Sequence, residues 1–159
     1  DIAQWGLGMD NSGPVKVIPP GAGKLAGLRY QYANGVEMIH QPVGKNYCRF
    51  IGTHGEVYVQ RGELRTTPES LKDKTFSEDE YKFYVSTDHY QDFVNAIKTR
   101  KPPICDVEVG HRTATVCNIG NIGYALQRPL EWDPEKERFN KDHEANKLVK
   151  RKMRKRWRV

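Results

Sequence analysis

Asp106-Val-Glu-Val-Gly-His-Arg-Thr-Ala-Thr-Val-Cys-Asn-Ile-Gly-Asn-Ile-Gly-Tyr124 is the stretch on which the reading of this fold turns. An aspartate stands where a helix cap belongs. Val109, Ala114, Val116, Cys117, Ile119 and Ile122, with Leu126 beyond, predict a buried helix behind it. Gly110, Gly120 and Gly123 interrupt that helix, and each costs up to about 1 kcal/mol in a helix interior. Close approach by a sheet, another helix or a ligand is the expected reason for them. Positions 111, 114, 118 and 121 share one helical face. His111, Asn118 and Asn121, with Arg112 beside them, are therefore the candidate binding residues. Donors and acceptors in a row beside small residues suit a sugar or polyol. They suit a structural hydrogen-bond network equally well.

Upstream, residues 1–8 read as the end of a helix stopped by Gly6 and Gly8. Val15-Lys-Val-Ile18 is a short strand closed by Pro19-Pro20. Leu28-Arg-Tyr-Gln-Tyr-Ala33 and Val36-Glu-Met-Ile-His40 flank Asn34-Gly35, which predicts a hairpin with a type I′ turn. Leu28, Tyr30 and Tyr32 alternate with Arg29 and Gln31, giving an apolar face and a wetter one. Tyr47-Cys-Arg-Phe-Ile51 and Glu56-Val-Tyr-Val-Gln60 form a second pair about a turn at Thr53-His54-Gly55. Arg61-Gly62 turns the chain into Leu64-Arg-Thr66. About six strands joined by tight turns imply an antiparallel sheet.

Residues 67–85 are polar and predict a surface connection, with one helical turn at Pro68-Glu-Ser-Leu71. Ser86 or Thr87 is expected to cap a helix that runs to about Arg100 and carries Phe93, Ala96 and Ile97 on one face. Pro102-Pro103 ends it. Asp133-Pro134-Glu135 reads as the start of a further short helix. Strands first and helices after predict an α+β fold: an open, mainly antiparallel β-sheet with helices packed on one face. The 159 residues suit one domain, taken as 1–146, followed by a basic tail at 147–159. The bare face of such a sheet predicts a homo-oligomer paired through it.

Composition excludes several classes. The chain has a formal net charge of +6, but the tail holds eight of its 26 basic residues and no acid. The body is left with 18 bases against 20 acids, so all the basic character sits at one end. Lys150-Arg-Lys-Met-Arg-Lys-Arg-Trp-Arg158 is the best case for nucleic acid, with Trp157 available to stack. The run is short and terminal, on an acidic body without any known reading module, so that partner is disfavoured. No apolar run is long enough for a membrane span. Cys48, Cys105 and Cys117 are odd in number and lack metal spacing, and the expectation is buried thiols. His40, His54 and His89 show no metal-ligand spacing. Gly21-Ala-Gly-Lys24 follows two prolines and leads into a strand, so it is neither a phosphate loop nor a dinucleotide fingerprint.

The chain resembles the second domain of the glucose–fructose oxidoreductase / inositol dehydrogenase (Gfo/Idh/MocA) family, bacterial-type branch. Asp1-Ile-Ala-Gln-Trp5 is similar to the helix that follows that family's D-x-G-x-H segment. Arg29-Tyr-Gln-Tyr-Ala-Asn-Gly35 and Phe50-Ile-Gly-Thr-His-Gly-Glu-Val-Tyr-Val59 resemble its central strands. His89-Tyr-Gln-Asp-Phe93 with Ile97-Lys-Thr-Arg-Lys-Pro102 resembles the following helix and stop. The stretch from Asp106 to Asn121, Trp132-Asp-Pro-Glu-Lys136, Asp142-His-Glu-Ala-Asn146 and Met153-Arg-Lys-Arg-Trp-Arg158 complete the likeness.

That resemblance implies the substrate-side and oligomerisation domain of a parent NAD- or NADP-dependent oxidoreductase acting on sugars, inositols or their derivatives. A Rossmann domain would carry the cofactor, and this chain none. Hydride would pass between a substrate carbon and the nicotinamide. The family's Glu-Lys-Pro motif does not occur here, and Arg156 precedes Trp157 where the family usually has proline. None of the family's proton-handling residues can be carried over. The D-x-G-x-H segment is expected upstream of Asp1, because the chain opens mid-pattern. Two alternatives stand beside this reading: an NAD-dependent glycoside hydrolase of the same family, and a non-catalytic interaction module with a basic tail. Compartment is not legible.

Overall fold

The structure is a computed structural model and describes residues 1–21, 24, 26–41, 44, 46–77, 80, 84–151 and 153–154. It is α+β, with open antiparallel sheets as expected. In chain order the elements are α1 (Ile2–Gly6), β1 (Lys16–Ile18), β2 (Leu28–Gln31), β3 (Glu37–His40), β4 (Cys48–Gly52), β5 (Gly55–Gln60) and β6 (Glu63–Thr67). A 3-10 turn at Glu69–Asp73 follows. Then come α2 (His89–Thr99), α3 (Val107–Leu126), β7 (Leu130–Asp133), β8 (Arg138–Phe139) and α4 (His143–Leu148). The strands do not form the single sheet that the tight turns suggest. They form a five-stranded sheet in the order β3-β2-β1-β7-β8 and a three-stranded sheet β4-β5-β6.

The chain divides into two compact units. The first contains the five-stranded sheet, α3, α4 and most of α1. Its core follows the predicted alternation. Val17, Leu28, Tyr30, Tyr32, Leu130, Trp132 and Phe139 are buried together with Val116, Ile119 and Ile122 of α3. Burying one such aliphatic or aromatic side chain is worth about 1.5–3 kcal/mol. Trp132 and Phe139 meet edge to face at 4.9 Å, the arrangement that aromatic quadrupoles favour. On the other face Lys16 pairs with Glu131 at 2.8 Å and Arg29 with Glu37 at 3.8 Å.

The glycines of α3 explain themselves here. A Cβ on Gly120 would lie 2.0 Å from the Tyr30 hydroxyl and 3.0 Å from Leu28 Cδ2. One on Gly123 would lie 3.0 Å from Val17 Cγ1. The helix backbone itself is in contact with the sheet. Gly110 differs, because nothing approaches its Cβ position within 4 Å. α1 is tied in by a buried glutamine. Gln4 is 2 % exposed. Its amide donates to the carbonyls of Met9 and Ser12, and its oxygen accepts from Tyr32 Oη at 2.5 Å. No polar atom of that side chain is left without a partner, as a buried amide requires.

The β2–β3 hairpin forms where Asn34-Gly35 predicts it, but not with a type I′ turn. Tyr32 N donates to Val36 O, and Gly35 N donates to Tyr32 O. Gly35 is the loop residue with positive φ, at +85°. That is a three-residue loop closed by a glycine bulge. Asn34 instead uses its side chain, accepting from Val36 N at 3.1 Å.

β7 and β8 correct another expectation. Asp133-Pro134 starts no helix. It opens the turn between these two strands, where Asp133 Oδ1 accepts from the backbone N–H of Glu135 and Lys136. A capping aspartate followed by proline serves a tight turn as well as a helix. Asn146 of α4 then pairs with β8 like a strand. Its amide exchanges two 2.8 Å hydrogen bonds with the Phe139 backbone. α4 is capped by Asp142, which accepts from Ala145 N and binds Arg128 through both carboxylate oxygens at 2.5 and 3.0 Å.

The second unit contains β4–β6 and α2. Gly55 opens β5 at φ +143°, and a Cβ there would lie 2.1 Å from the Thr67 carbonyl oxygen. α2 begins one residue later than a Thr87 cap, and two later than a Ser86 cap, would give. Asp88 is the cap, accepting from Tyr90 N and Gln91 N, and its carboxylate is the stronger acceptor for those amides. Phe93 and Ile97 fall on one face with Tyr90 and Val94, and all four are exposed. The thiols also differ from expectation. Cys105 and Cys117 are exposed and Cys48 is half-buried.

Two consequences can be measured by chemical denaturation. Gly120→Ala is expected to destabilise the protein by about 1–3 kcal/mol through overpacking. Gly110→Ala is expected to stabilise it by up to about 1 kcal/mol, since only helix propensity changes there. The Arg128 guanidinium beside Asp142 holds its carboxyl down to about 2. The stability from that charge is complete above the ordinary aspartate pKa of about 3.9 and is lost as pH falls toward about 2. Asp142→Asn should therefore flatten the acid limb of a stability–pH curve in that window and leave its slope near neutrality unchanged.

Candidate functional site

α3 is one continuous helix from Val107 to Leu126. It ends where Gln127 takes a left-handed conformation, φ 52°, with its N–H bonded to Gly123 O. Because Val116, Ile119, Gly120, Ile122 and Gly123 are buried, the opposite side is fixed. His111, Ala114, Cys117, Asn118 and Asn121 all lie on the exposed side. The structure thus brings His111, Asn118 and Asn121 onto one accessible face. Ala114 lies between them, as the spacing predicts, whereas Cys117, expected as a buried thiol, belongs to that exposed face instead.

Arg112 is turned aside from this line. Its side chain is only 17 % exposed. Nε donates to Glu108 at 2.6 Å, and Nη1 donates to the Pro134 carbonyl at 2.6 Å. Nη1 also lies 3.5 Å from the Glu137 carboxylate, which is hydrogen-bonded to His111 Nε2. Arg112 and His111 together staple the first turns of α3 to the β7–β8 turn. Glu137 sits there in a left-handed conformation, φ 48°, which a non-glycine residue holds only when its surroundings over-determine it.

Glu137 and Pro134 are the members of this cluster that sequence reasoning missed. They are more than 20 positions from their partners, and only the β7–β8 turn brings them near. Glu108 was findable, because Glu at i and Arg at i+4 are neighbours on a helix.

His40 Nδ1 is 3.2 Å from Tyr124 Oη, His54 contacts Thr53, and His89 lies against Tyr90. Among the described residues no group of three or more His, Cys, Asp or Glu could hold a metal ion. No helix among them is long and apolar enough to cross a membrane. The segment from Gly21 to Gly27 joins β1 to antiparallel β2. A dinucleotide-binding turn must leave a strand and open a helix, so this connection does not fit a nicotinamide cofactor. Part of it, Ala22, Gly23 and Leu25, lies outside the described residues. In the basic tail, α4 takes in Lys147 and Leu148. Lys152 and residues 155–159, including Trp157, lie outside the described residues.

Arg112→Ala is expected to cost about 1.5–3 kcal/mol, because it removes charge-assisted bonds at a mostly buried position. Asn118→Ala, on the exposed face, is expected to change stability by less than about 0.5 kcal/mol. Urea denaturation of the two variants separates the staple from the open face.

No curated protein and no solved structure matches the chain. A family model described as "Oxidoreductase family, C-terminal alpha/beta domain" matches residues 1–159, the whole chain. With its α+β architecture, open antiparallel sheets and the full span of that match, this chain belongs to the C-terminal-domain family of the Gfo/Idh/MocA oxidoreductases.

Proposed function

We propose that this chain is the substrate-side and subunit-pairing domain of an NAD(P)-dependent oxidoreductase that acts on sugars, inositols or related polyols. The observation that carries the reading is the exposed line of α3. Asn118 and Asn121 present amide donors and acceptors beside small side chains, on a helix whose rotation is locked by its buried glycines. A neutral polyol needs groups that both donate and accept, and the amide is the side chain that offers both without charge.

His111 extends the line, with its ring oriented by Glu137. Arg112 is a positioning residue in this reading. It holds the β7–β8 turn, and so Glu137, against α3. The nicotinamide would be held by a Rossmann domain of the parent protein, and no step of the chemistry is assigned to residues of this chain. Pairing of subunits through a sheet belongs to the same proposal, since the five-stranded sheet has a second face opposite the one that packs on α3.

The test uses the full-length gene product containing this chain, assayed for NAD(P)-linked oxidation across a panel of sugars and inositols. Asn118→Ala and Asn121→Ala are each expected to raise KM about tenfold, with a smaller change in kcat, as loss of uniform substrate binding does. Unchanged KM in both variants contradicts the assignment. The isolated 159-residue chain is expected to bind neither NAD nor NADP in calorimetry.

A further inference from the structure

The second unit carries an aromatic and charged cavity that the proposed oxidoreductase role does not use. On one face of β4–β6, Arg49 and Tyr58 are directly paired across β4 and β5, and Tyr58 and Arg65 across β5 and β6. Tyr47, just before β4, stacks on Tyr58 with ring centroids 4.7 Å apart and planes inclined by 33°. The Arg65 guanidinium lies 4.0 Å from the centre of the Tyr58 ring. Together with Glu56 these groups line a concavity of about 520 Å³. That volume is within the range of small-molecule sites, roughly 300–1,000 Å³.

The charges of the lining decide what it suits. Arg49 binds Glu56 through Nε at 3.0 Å and Nη2 at 2.6 Å. Arg65 binds Glu63 at 2.7 Å, and Lys72 binds Glu69 at 2.5 Å. Each of these three cations already holds a carboxylate, so the charges balance and the face has no net attraction for an anion. Arg49 retains N–H donors that point to no partner within this pair, and the second oxygen of Glu56 retains acceptor capacity. Adjacent hydroxyl groups, each both donor and acceptor, can use both at once. Tyr58 is covered by Arg65 and Tyr47, and it backs the Tyr47 ring, whose outer face is the electron-rich surface for weakly positive C–H groups.

We infer that this face of the three-stranded sheet is a binding site for a neutral carbohydrate, with a sugar ring stacked on Tyr47, which Tyr58 supports from behind, and its hydroxyls bridging Arg49 and Glu56. The site lies in a different unit from the α3 line, and it stands or falls independently of the proposed substrate assignment.

The probes are maltotriose and cellotriose, titrated into the 159-residue chain and followed by NMR on the tyrosine ring signals. Glucose 6-phosphate is the anionic comparison. Saturable binding of at least one trisaccharide is expected, at a Kd that does not change between low and high salt. Tyr47→Ala and Tyr58→Ala should each weaken it by about fivefold or more, the loss typical of one aromatic contact. Tyr58→Phe keeps the ring and should retain binding, which guards against a folding defect in the alanine variants. Asn118→Ala with Asn121→Ala should leave this binding unchanged, whatever it does to catalysis in the parent protein.

The absence of saturable binding by either trisaccharide overturns the inference. So does binding that survives both tyrosine-to-alanine changes, and so does binding of glucose 6-phosphate alone with strong salt dependence.

Discussion

Contact between the backbone of α3 and the five-stranded sheet governs most of what this domain presents to its surroundings. A helix that packs through side chains can rotate by tens of degrees and still bury an apolar stripe. One that packs through Gly120 and Gly123 against Tyr30, Leu28 and Val17 cannot, because any rotation would drive a side chain into the sheet. The cost of two interior glycines, up to about 1 kcal/mol each, is offset by the burial of Tyr30 and Leu28 beneath them. Burial also pushes the Tyr30 phenol pKa well above the ordinary tyrosine value, so that ring stays neutral at any physiological pH. Once the buried side is fixed, the exposed side follows, and with it the line of His111, Asn118 and Asn121.

The same contact separates two kinds of polar residue that look alike in the sequence. His111 and Arg112 are adjacent, and composition alone offers no reason to treat them differently. In the structure Arg112 reaches two carboxylates and a backbone carbonyl and is mostly buried, while His111 keeps nearly half its surface. An exposed ion pair contributes little, typically 0–1 kcal/mol. Arg112 differs because its guanidinium also satisfies the Pro134 carbonyl. It therefore acts on the fold, by fixing the β7–β8 turn, and reaches the candidate site only through Glu137.

Much of this was legible in the sequence where one local signal had one meaning. The alternation of Leu28, Tyr30 and Tyr32 gave the buried face of β2. The family likeness, carried chiefly by the stretch from Asp106, agrees with the match of the whole chain. Reading faltered where one signal serves two structures. Asn34-Gly35 marks a hairpin, but loop length rather than residue identity chose the turn type, since Tyr32 and Val36 close a three-residue loop. Asp133-Pro134-Glu135 satisfies both a helix cap and a tight turn, and pairing of β7 with β1 chose the turn. The division into two sheets was not legible, because β1 pairs with β7 across more than a hundred residues and no local pattern encodes that distance. At the candidate site the shared face of His111, Asn118 and Asn121 was readable from helical spacing. The partners Glu137 and Pro134 were not, for the same reason of sequence separation.

On the proposed reading, the spacing along α3 sets what the exposed line recognises. Three residues advance a helix axis by about 4.5 Å, so Asn118 and Asn121 are offset along α3 by about that much. That is the scale of alternate hydroxyl groups around a six-membered polyol ring. Two amides at that interval can each engage one hydroxyl without the ring tilting, provided the helix cannot rotate. The glycine contact removes that freedom, and the Arg112 staple restrains the amino-terminal turns where His111 stands. On the proposed reading, the residues that fit the ligand and those that hold the helix are different residues of one element. A substitution among the second set, Gly120 or Arg112, would reach the ligand only by moving the helix, so it should disturb stability and recognition together. A substitution of Asn118 should disturb recognition alone.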